Sequence, residues 1–300
     1  MTRWGTQRIE SYEFLTDSSA TACYVCDGAN RFDRECCRHC GAPLAPAAES
    51  SGRQPRTIAV IGVPGAGKTT YLGMLADILS RQTGSFEFLA RGAFSVSLQH
   101  ASLHALARGR FPAQTDRDPR NWNWLHCEVR GQARRRPTDL IIPDVSGAAL
   151  MEELDQPGSV TVIQSFLANC AGALLLVDVD RLQRGDMEPD VAAKNIVEYL
   201  IGLAPHRRKG WRKRPVAVVF TKADRCEDCL EDPLQFGRRA APALLQQCQR
   251  RFTNFRLFAT TSVGATLETR SGRELVQLPV RIEPRGTVQP FEWLIKQLAM

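Results

Sequence analysis

Gly62 to Thr70 reads GVPGAGKTT, with glycines, one lysine and two hydroxyls set between a β-branched apolar run and a helical pattern. The spacing is G-x4-G-K-[ST]. Glycine tolerates a curled backbone that turns successive N–H groups toward phosphate oxygens, and the positive end of the following helix adds to that attraction. Gly62, Val63, Pro64, Gly65, Ala66 and Gly67 would form the cradle. Lys68 would neutralise the outer phosphates, and Thr69, with Thr70 beside it, would bring a hydroxyl to Mg²⁺. Such a cradle by itself names neither the base nor the reaction.

Residues further along narrow the choice. DLIIPDVSG sets Asp144 and Gly147 as D-x-x-G at the C-terminal end of a strand, where a carboxylate can hold the shell of Mg²⁺ and a glycine N–H can meet a γ-phosphate. VAVVFTKAD sets Thr221, Lys222 and Asp224 at the end of another strand. It resembles the [NT]-K-x-D guanine-recognition motif of P-loop GTPases, with Thr for the commoner Asn. There the carboxylate accepts from guanine N1–H and its 2-amino group, donors that adenine does not offer together, so ATP should be rejected. Thr261-Ser262-Val263-Gly264 follows a further strand and is similar to the Ser-Ala-type loop that backs the guanine, which brings Ser262 into the nucleotide site. Thr115 in GRFPAQT lies where the same resemblance implies a first-switch threonine that closes on Mg²⁺ and γ-phosphate; Thr138, inside a strand, fits worse. Lys68, Thr115, Asp144 and Gly147 are therefore the residues expected to act on the γ-phosphate, and Thr69, Thr115 and Asp144 those expected to hold Mg²⁺.

Ala148 stands just after D-x-x-G, where many GTPases carry a Gln that orients the attacking water. Slow intrinsic hydrolysis is expected unless another group, such as nearby Glu152 or Glu153 or one from a partner, substitutes.

A different chemistry lies near the N-terminus. Of ten cysteines, five fall between Cys23 and Cys40, with no apolar export signal before them. In a reducing compartment that clustering favours metal ligation over disulfides. Cys23-x2-Cys26 and Cys37-x2-Cys40 have the arrangement of a zinc ribbon or finger, each pair wrapping one side of a tetrahedral Zn²⁺. With Asn30 the spacing also resembles the Ran-binding-protein type of finger, although the Trp usual beside the first Cys is missing, so RNA or ubiquitin binding is not implied. Cys36 and His39 adjoin the better-spaced pair and are left out. Cys226 and Cys229 have no matching pair, and His100 and His104, four apart on a helical pattern, have no evident third ligand.

The elements that must position these groups follow from periodicity. Apolar runs at Thr57 to Ile61, Trp122 to Val129, Thr138 to Pro143, Ala173 to Val177, Val216 to Phe220 and Phe255 to Ala259 read as strands. Helical patterns fall at Lys68 to Arg81, Val160 to Asn169, Pro189 to Leu203, Pro233 to Arg251 and Pro290 to Leu298. Their alternation predicts an α/β fold, a mostly parallel sheet with helices on both faces, and one antiparallel edge hairpin over Trp122 to Pro143. Ala93 to Ala107 predicts a helix inserted before GRFPAQT. Pro43, Pro46 and Pro55 mark a linker, so residues 1–42 form an N-terminal segment with the zinc ribbon, 43–55 the linker and 56–300 the large domain.

Four ordered elements across most of residues 56 to 300 resemble the translation-factor-related (TRAFAC) class of GTPases, which implies a Ras-like P-loop NTPase fold. The helical insert and KTTYLGML look closest to bacterial double-GTPase domains, often found in multi-gene conflict or defence systems. GTP, Mg²⁺ and Zn²⁺ are the cofactors implied. The expected function is a GTP-binding switch with slow hydrolysis, regulating a protein partner through the zinc ribbon or the switch regions; the alternative is a nucleotide-binding scaffold with negligible turnover. The net charge of +7 belongs to the large domain, where RGQARRR (Arg130 to Arg136) and HRRKGWRKR (His206 to Arg214) offer a face for an acidic or nucleic-acid partner. No apolar run approaches the roughly 18–20 residues that span a bilayer, which makes a cytoplasmic protein the expectation.

Overall fold

The computed structural model of the chain describes residues 20–31, 33–44, 55–81, 86–131, 137–204, 210–271 and 274–299. Two short strands, β1 (Ala20–Ala22) and β2 (Ala29–Arg31), pair antiparallel at the N-terminal end. The apolar run before the glycines is β3 (Arg56–Ile61), and it leads through the loop into α1 (Lys68–Ser80). Then come β4 (Phe86–Arg91), α2 (Gly92–Ala107), β5 (Trp124–Gly131) and β6 (Thr138–Pro143). The next elements are α3 (Gly147–Asp155), α4 (Thr161–Asn169), β7 (Gly172–Asp178), α5 (Val179–Gln183), α6 (Glu188–Gly202) and β8 (Val216–Thr221). After α7 (Glu227–Glu231), α8 (Pro233–Ala240) and α9 (Pro242–Arg251), the chain closes with β9 (Phe255–Ala259), β10 (Ala265–Ser271), β11 (Glu274–Arg281) and α10 (Gln289–Ala299).

Seven strands form one sheet in the order β4-β5-β6-β3-β7-β8-β9. From β6 to β9 every pairing is parallel, and β5 is antiparallel to both of its neighbours. Alternation along the strands splits the core. Ile58 and Val60 of β3 pack with α1 and α10 on one face, while Ala59 and Ile61 pack with α3, α4 and α6 on the other. Because the central strands are buried on both sides, they read as continuous apolar runs, as in other parallel sheets.

Four features depart from the sequence reading. The hairpin β5–β6 is not at the edge: β4 covers β5, pairing from Phe86↔Gly131 to Arg91↔His126. β5 begins at Trp124, because Pro119–Asn121 make a 3-10 turn and Trp122 caps it. Pro233 to Arg251 is two helices, since Pro242 lacks an N–H and opens a new helix after Ala241 leaves helical geometry (φ −137, ψ 55). A hairpin, β10–β11, stands between the loop after β9 and α10 and pairs with no strand of the large sheet.

The N-terminal module is docked on the sheet domain. Cys23, Tyr24, Val25, Ala42 and Leu44 share one apolar cluster with Trp122, Trp124, Ile163 and Phe166. The rings of Tyr24 and Trp124 meet edge to face at 5.7 Å, and Asn169 donates to the Val25 carbonyl at 2.8 Å. Most of the expected linker, and residues 132–136 and 206–209 of the two Arg-rich clusters, lie outside the described residues. Of those clusters, Arg214 is buried and donates to the carbonyls of Leu167 (3.2 Å) and Ala168 (2.8 Å), so it anchors α4 rather than facing a partner. Among the described residues no helix is long and apolar enough to cross a membrane.

Candidate functional site

The loop after β3 curls because Gly65 (φ 80) and Gly67 (φ 83) adopt the left-handed conformation that side chains disfavour. Gly67 opens α1 with no side-chain cap, which leaves the first N–H groups of the helix pointing into the cleft that Gly65, Gly67, Lys68, Thr69 and Thr70 line. Lys68 is buried and donates to the carbonyls of Gly62 (2.9 Å) and Val63 (3.1 Å). Burial lowers its pKa to about 8, opposed by the charge of Asp144. Ala66 faces inward, its carbonyl accepting from the Thr221 hydroxyl at 2.9 Å, and Pro64 lines the cleft rim.

D-x-x-G closes on this loop from β6. Asp144 is 1% exposed, and its Oδ2 accepts from Thr69 (2.8 Å) and Thr115 (2.9 Å), whose hydroxyls lie 3.1 Å apart. Its other oxygen, Oδ1, is buried with no hydrogen-bond partner. Burial raises the Asp144 pKa against the pull of those hydroxyls and of Lys68. Adjacent ligands of octahedral Mg²⁺, bound at about 2.1 Å, stand about 3.0 Å apart. The three oxygens meet that spacing, and the orphaned Oδ1 is the kind of atom that a cation or its water shell would satisfy. Thr115 is fixed from behind as well, because Ser146 donates to its carbonyl at 3.1 Å. Gly147 sits so near the loop that a Cβ there would meet Pro64 N at 2.6 Å and Lys68 Nζ at 2.8 Å.

The other end of the cleft is built by β8 and the loop after β9. Thr221 ties both sides together by donating also to the Val177 carbonyl at 3.1 Å. Lys222, in the left-handed conformation (φ 58), pairs with buried Asp178 at 2.6 Å. Asp224 lines the cleft, and its Oδ1 accepts from Thr261 at 3.0 Å. Ser262 and Val263 line the cleft beside it. Thr261, the residue before Ser262, holds the Asp224 carboxylate, a contact that the TSVG spacing did not show. Ser146, Phe111, Asp180, Arg225, Thr266 and Gln277 also line the cleft, and no local spacing marked them.

Away from this cleft, Cys23, Cys26, Cys37 and Cys40 bring their sulfurs within 4.8 Å of one another, the only such ligand group of three or more among the described residues. Cys23–Cys40 and Cys26–Cys37 are 3.8 and 3.6 Å apart, against about 3.8 Å for thiolates bound tetrahedrally at about 2.3 Å from Zn²⁺. Backbone N–H groups of Val25 and His39 point at Cys23 and Cys37, each at 3.4 Å, as does the Asn30 amide at Cys37, which suits thiolates. Cys36 lies outside the group, and the His39 ring accepts from Arg38. His100 and His104 only stack on each other, at 5.7 Å.

A glycine-rich cradle at the carboxyl end of a parallel sheet, with D-x-x-G beneath it and T-K-x-D beside it, defines a P-loop GTPase-like domain. The sequence model of the family described as Double-GTPase 2 matches residues 56–278, and the chain belongs to that family. No curated protein matches it. Solved structures similar to the chain include a small COPII coat GTPase SAR1 from Encephalitozoon cuniculi with GDP (16% identity, TM-score 0.37), covering 85% of this chain and 83% of that one. Roco2 RocCORdC of Methanosarcina barkeri bound to GDP is 15% identical (TM-score 0.38) over 81% of this chain and 49% of its own. The GTPase-like domain of S. cerevisiae Ski7 bound to GTP is 14% identical (TM-score 0.43) over 82% and 50%.

Proposed function

We propose that the protein is a GTP-binding switch that hydrolyses GTP slowly and passes its nucleotide state to a partner. The observation that carries this reading is one cleft with Lys68, Thr69 and Thr115 at one end and Asp224 at the other. The loop amides and Lys68 would bind the phosphates, and Asp224, oriented by Thr261, would accept from the guanine edge. Thr69, Thr115 and Asp144 would hold Mg²⁺, which supplies charge neutralisation at the phosphates when bound. Gly147, packed against Lys68, would offer its N–H to the γ-phosphate, so Thr115 and the Asp144 to Gly147 segment are the parts that loss of that phosphate releases. Ala148 lines the cleft with no group to orient water, and exposed Glu152 one helical turn on is the nearest acid along α3.

The test compares GTP and ATP affinity for the wild type and Asp224→Ala. GTP should bind at least about 100-fold more tightly than ATP in the wild type, and the preference should collapse in the variant. Tight ATP binding indifferent to the substitution would refute the reading. Unaided single-turnover hydrolysis should be slower than about 1 per second. Ala148 also favours a second reading, a nucleotide-binding scaffold without turnover, which complete absence of phosphate release from bound GTP would establish. A protein partner at the zinc module or switch segments, an acidic partner at the remaining Arg-rich surface, a cytoplasmic location and a role in a bacterial defence system belong to the same proposal.

A further inference from the structure

The β10–β11 hairpin follows the guanine loop directly, yet it belongs to neither edge of the main sheet. Its outward face is apolar and open, with Leu267 57% and Val280 66% exposed. Its other face enters the nucleotide cleft: Thr266 and Gln277 line it together with Asp224, Lys222 and Lys68.

What holds the hairpin there is Arg225, the residue after Asp224. Its guanidinium donates to the Thr266 hydroxyl at 2.7 Å, to Glu268 at 3.0 Å and to Asp180 at 3.3 Å. Arg184 pairs with Glu268 from the other side, and Gln277 donates to Asp180 and Glu268, both at 3.4 Å. These hydrogen bonds, from Arg184 first and then Arg225 and Gln277, draw the Glu268 carboxyl down to about 2. The hairpin is thus fastened to the same turn that presents Asp224, away from the end where Thr69 and Thr115 meet.

Phosphates are accounted for by the loop and Lys68, and the Watson–Crick edge of a guanine by Asp224. The ribose hydroxyls and the remaining base edge have both donors and acceptors; with the Gln277 amide hydrogens on Asp180 and Glu268 and the Thr266 oxygen accepting from Arg225, Thr266 keeps a hydroxyl proton to donate and Gln277 a carbonyl oxygen to accept. We propose that the hairpin is the outer wall of the nucleoside subsite, in which Thr266 and Gln277 hold the nucleoside half of the guanine nucleotide and Arg225 fastens that wall to the guanine-reading turn. This rests on the reading of the cleft as a guanine nucleotide site.

The experiment measures affinity for Mg²⁺·GDP and, as a phosphate-only probe, Mg²⁺·pyrophosphate, by calorimetry on the full chain. Thr266→Ala and Gln277→Ala should each weaken GDP about fivefold, the value of one ordinary hydrogen bond. Arg225→Ala should weaken it at least as much. Pyrophosphate affinity should stay at the wild-type value in all three, which also reports that the loop is folded. Leu267→Ser, on the outward face, should change neither. GDP affinity unchanged in Thr266→Ala and Gln277→Ala would overturn the hairpin's role while leaving the site reading intact. Equal losses for GDP and pyrophosphate would overturn it too, because the effect would then not lie at the nucleoside. A wild type that binds pyrophosphate but not GDP would overturn the guanine reading itself, and the hairpin with it.

Discussion

At the scale of single residues, close approach decides more than charge does. Gly147 lies where a methyl group would strike the Pro64 amide nitrogen and the Lys68 amine. Gly147→Ala should therefore push α3 away from the loop and weaken GTP by about tenfold or more, while thermal stability falls by only about 1–3 kcal/mol, the usual cost of overpacking. Equilibrium binding alongside denaturant melts would separate the two, and an unchanged GTP affinity would remove Gly147 from the γ-phosphate site. Lys68 is held by the Gly62 and Val63 carbonyls while burial lowers its pKa to about 8, and phosphate oxygens beside it would raise it again.

At the scale of elements, the four-cysteine module is the part with the least core of its own. Its two strands have three residues each, too short to stand alone. The four clustered sulfurs should bind about one Zn²⁺ per chain, lost in Cys37→Ser and kept in Cys36→Ser. Metal analysis of the purified variants checks this; zinc lost equally from both would show that Cys36 had been wrongly excluded. The helix pair α8 and α9 makes a complementary point. Asp232 caps α8 by accepting from the N–H groups of Leu234 and Gln235, and Pro242 opens α9, so two short helices stand where the periodicity suggested one.

At the scale of the molecule, the zinc module and the sheet domain share a core. Tyr24 is wedged between the metal-site cysteines and Trp124, and Trp124 in turn meets Phe166 edge to face at 6.3 Å. Trp122 stacks on Trp124 and donates its indole N–H to the Asp116 carbonyl at 2.7 Å, one residue from Thr115. Tyr24→Ala should cost about 3 kcal/mol or more and make residues 20–44 sensitive to protease, yet leave zinc bound, because the ligands are local to the module. Zinc content and limited proteolysis read these separately. Protease resistance equal to wild type would mean that the docked arrangement does not depend on this ring.

Much of the site was legible in the chain because its chemistry is carried by short spacings. The loop, D-x-x-G, T-K-x-D and the paired C-x2-C motifs each need only a few consecutive residues in the right order, and Thr115 and Asp144 meet as the resemblance implied. Long-range contact decided the rest. β4 has only Phe88 buried and carries Glu87 and Leu89 outward, too weak a pattern to announce a strand until β5 supplies its partner. The linker prolines suggested a tethered zinc ribbon, whereas Trp124, about a hundred residues further on, provides the surface that buries Tyr24. Likewise Thr266 and Gln277 line the cleft from a hairpin that Arg225 bonds from the turn after β8, far away in sequence. The sequence by itself determined the class of nucleotide site and which four cysteines cluster, since these depend on residue type and local spacing. Only the tertiary structure decided how the zinc module sits and what walls the cleft, because those depend on surfaces assembled from distant segments.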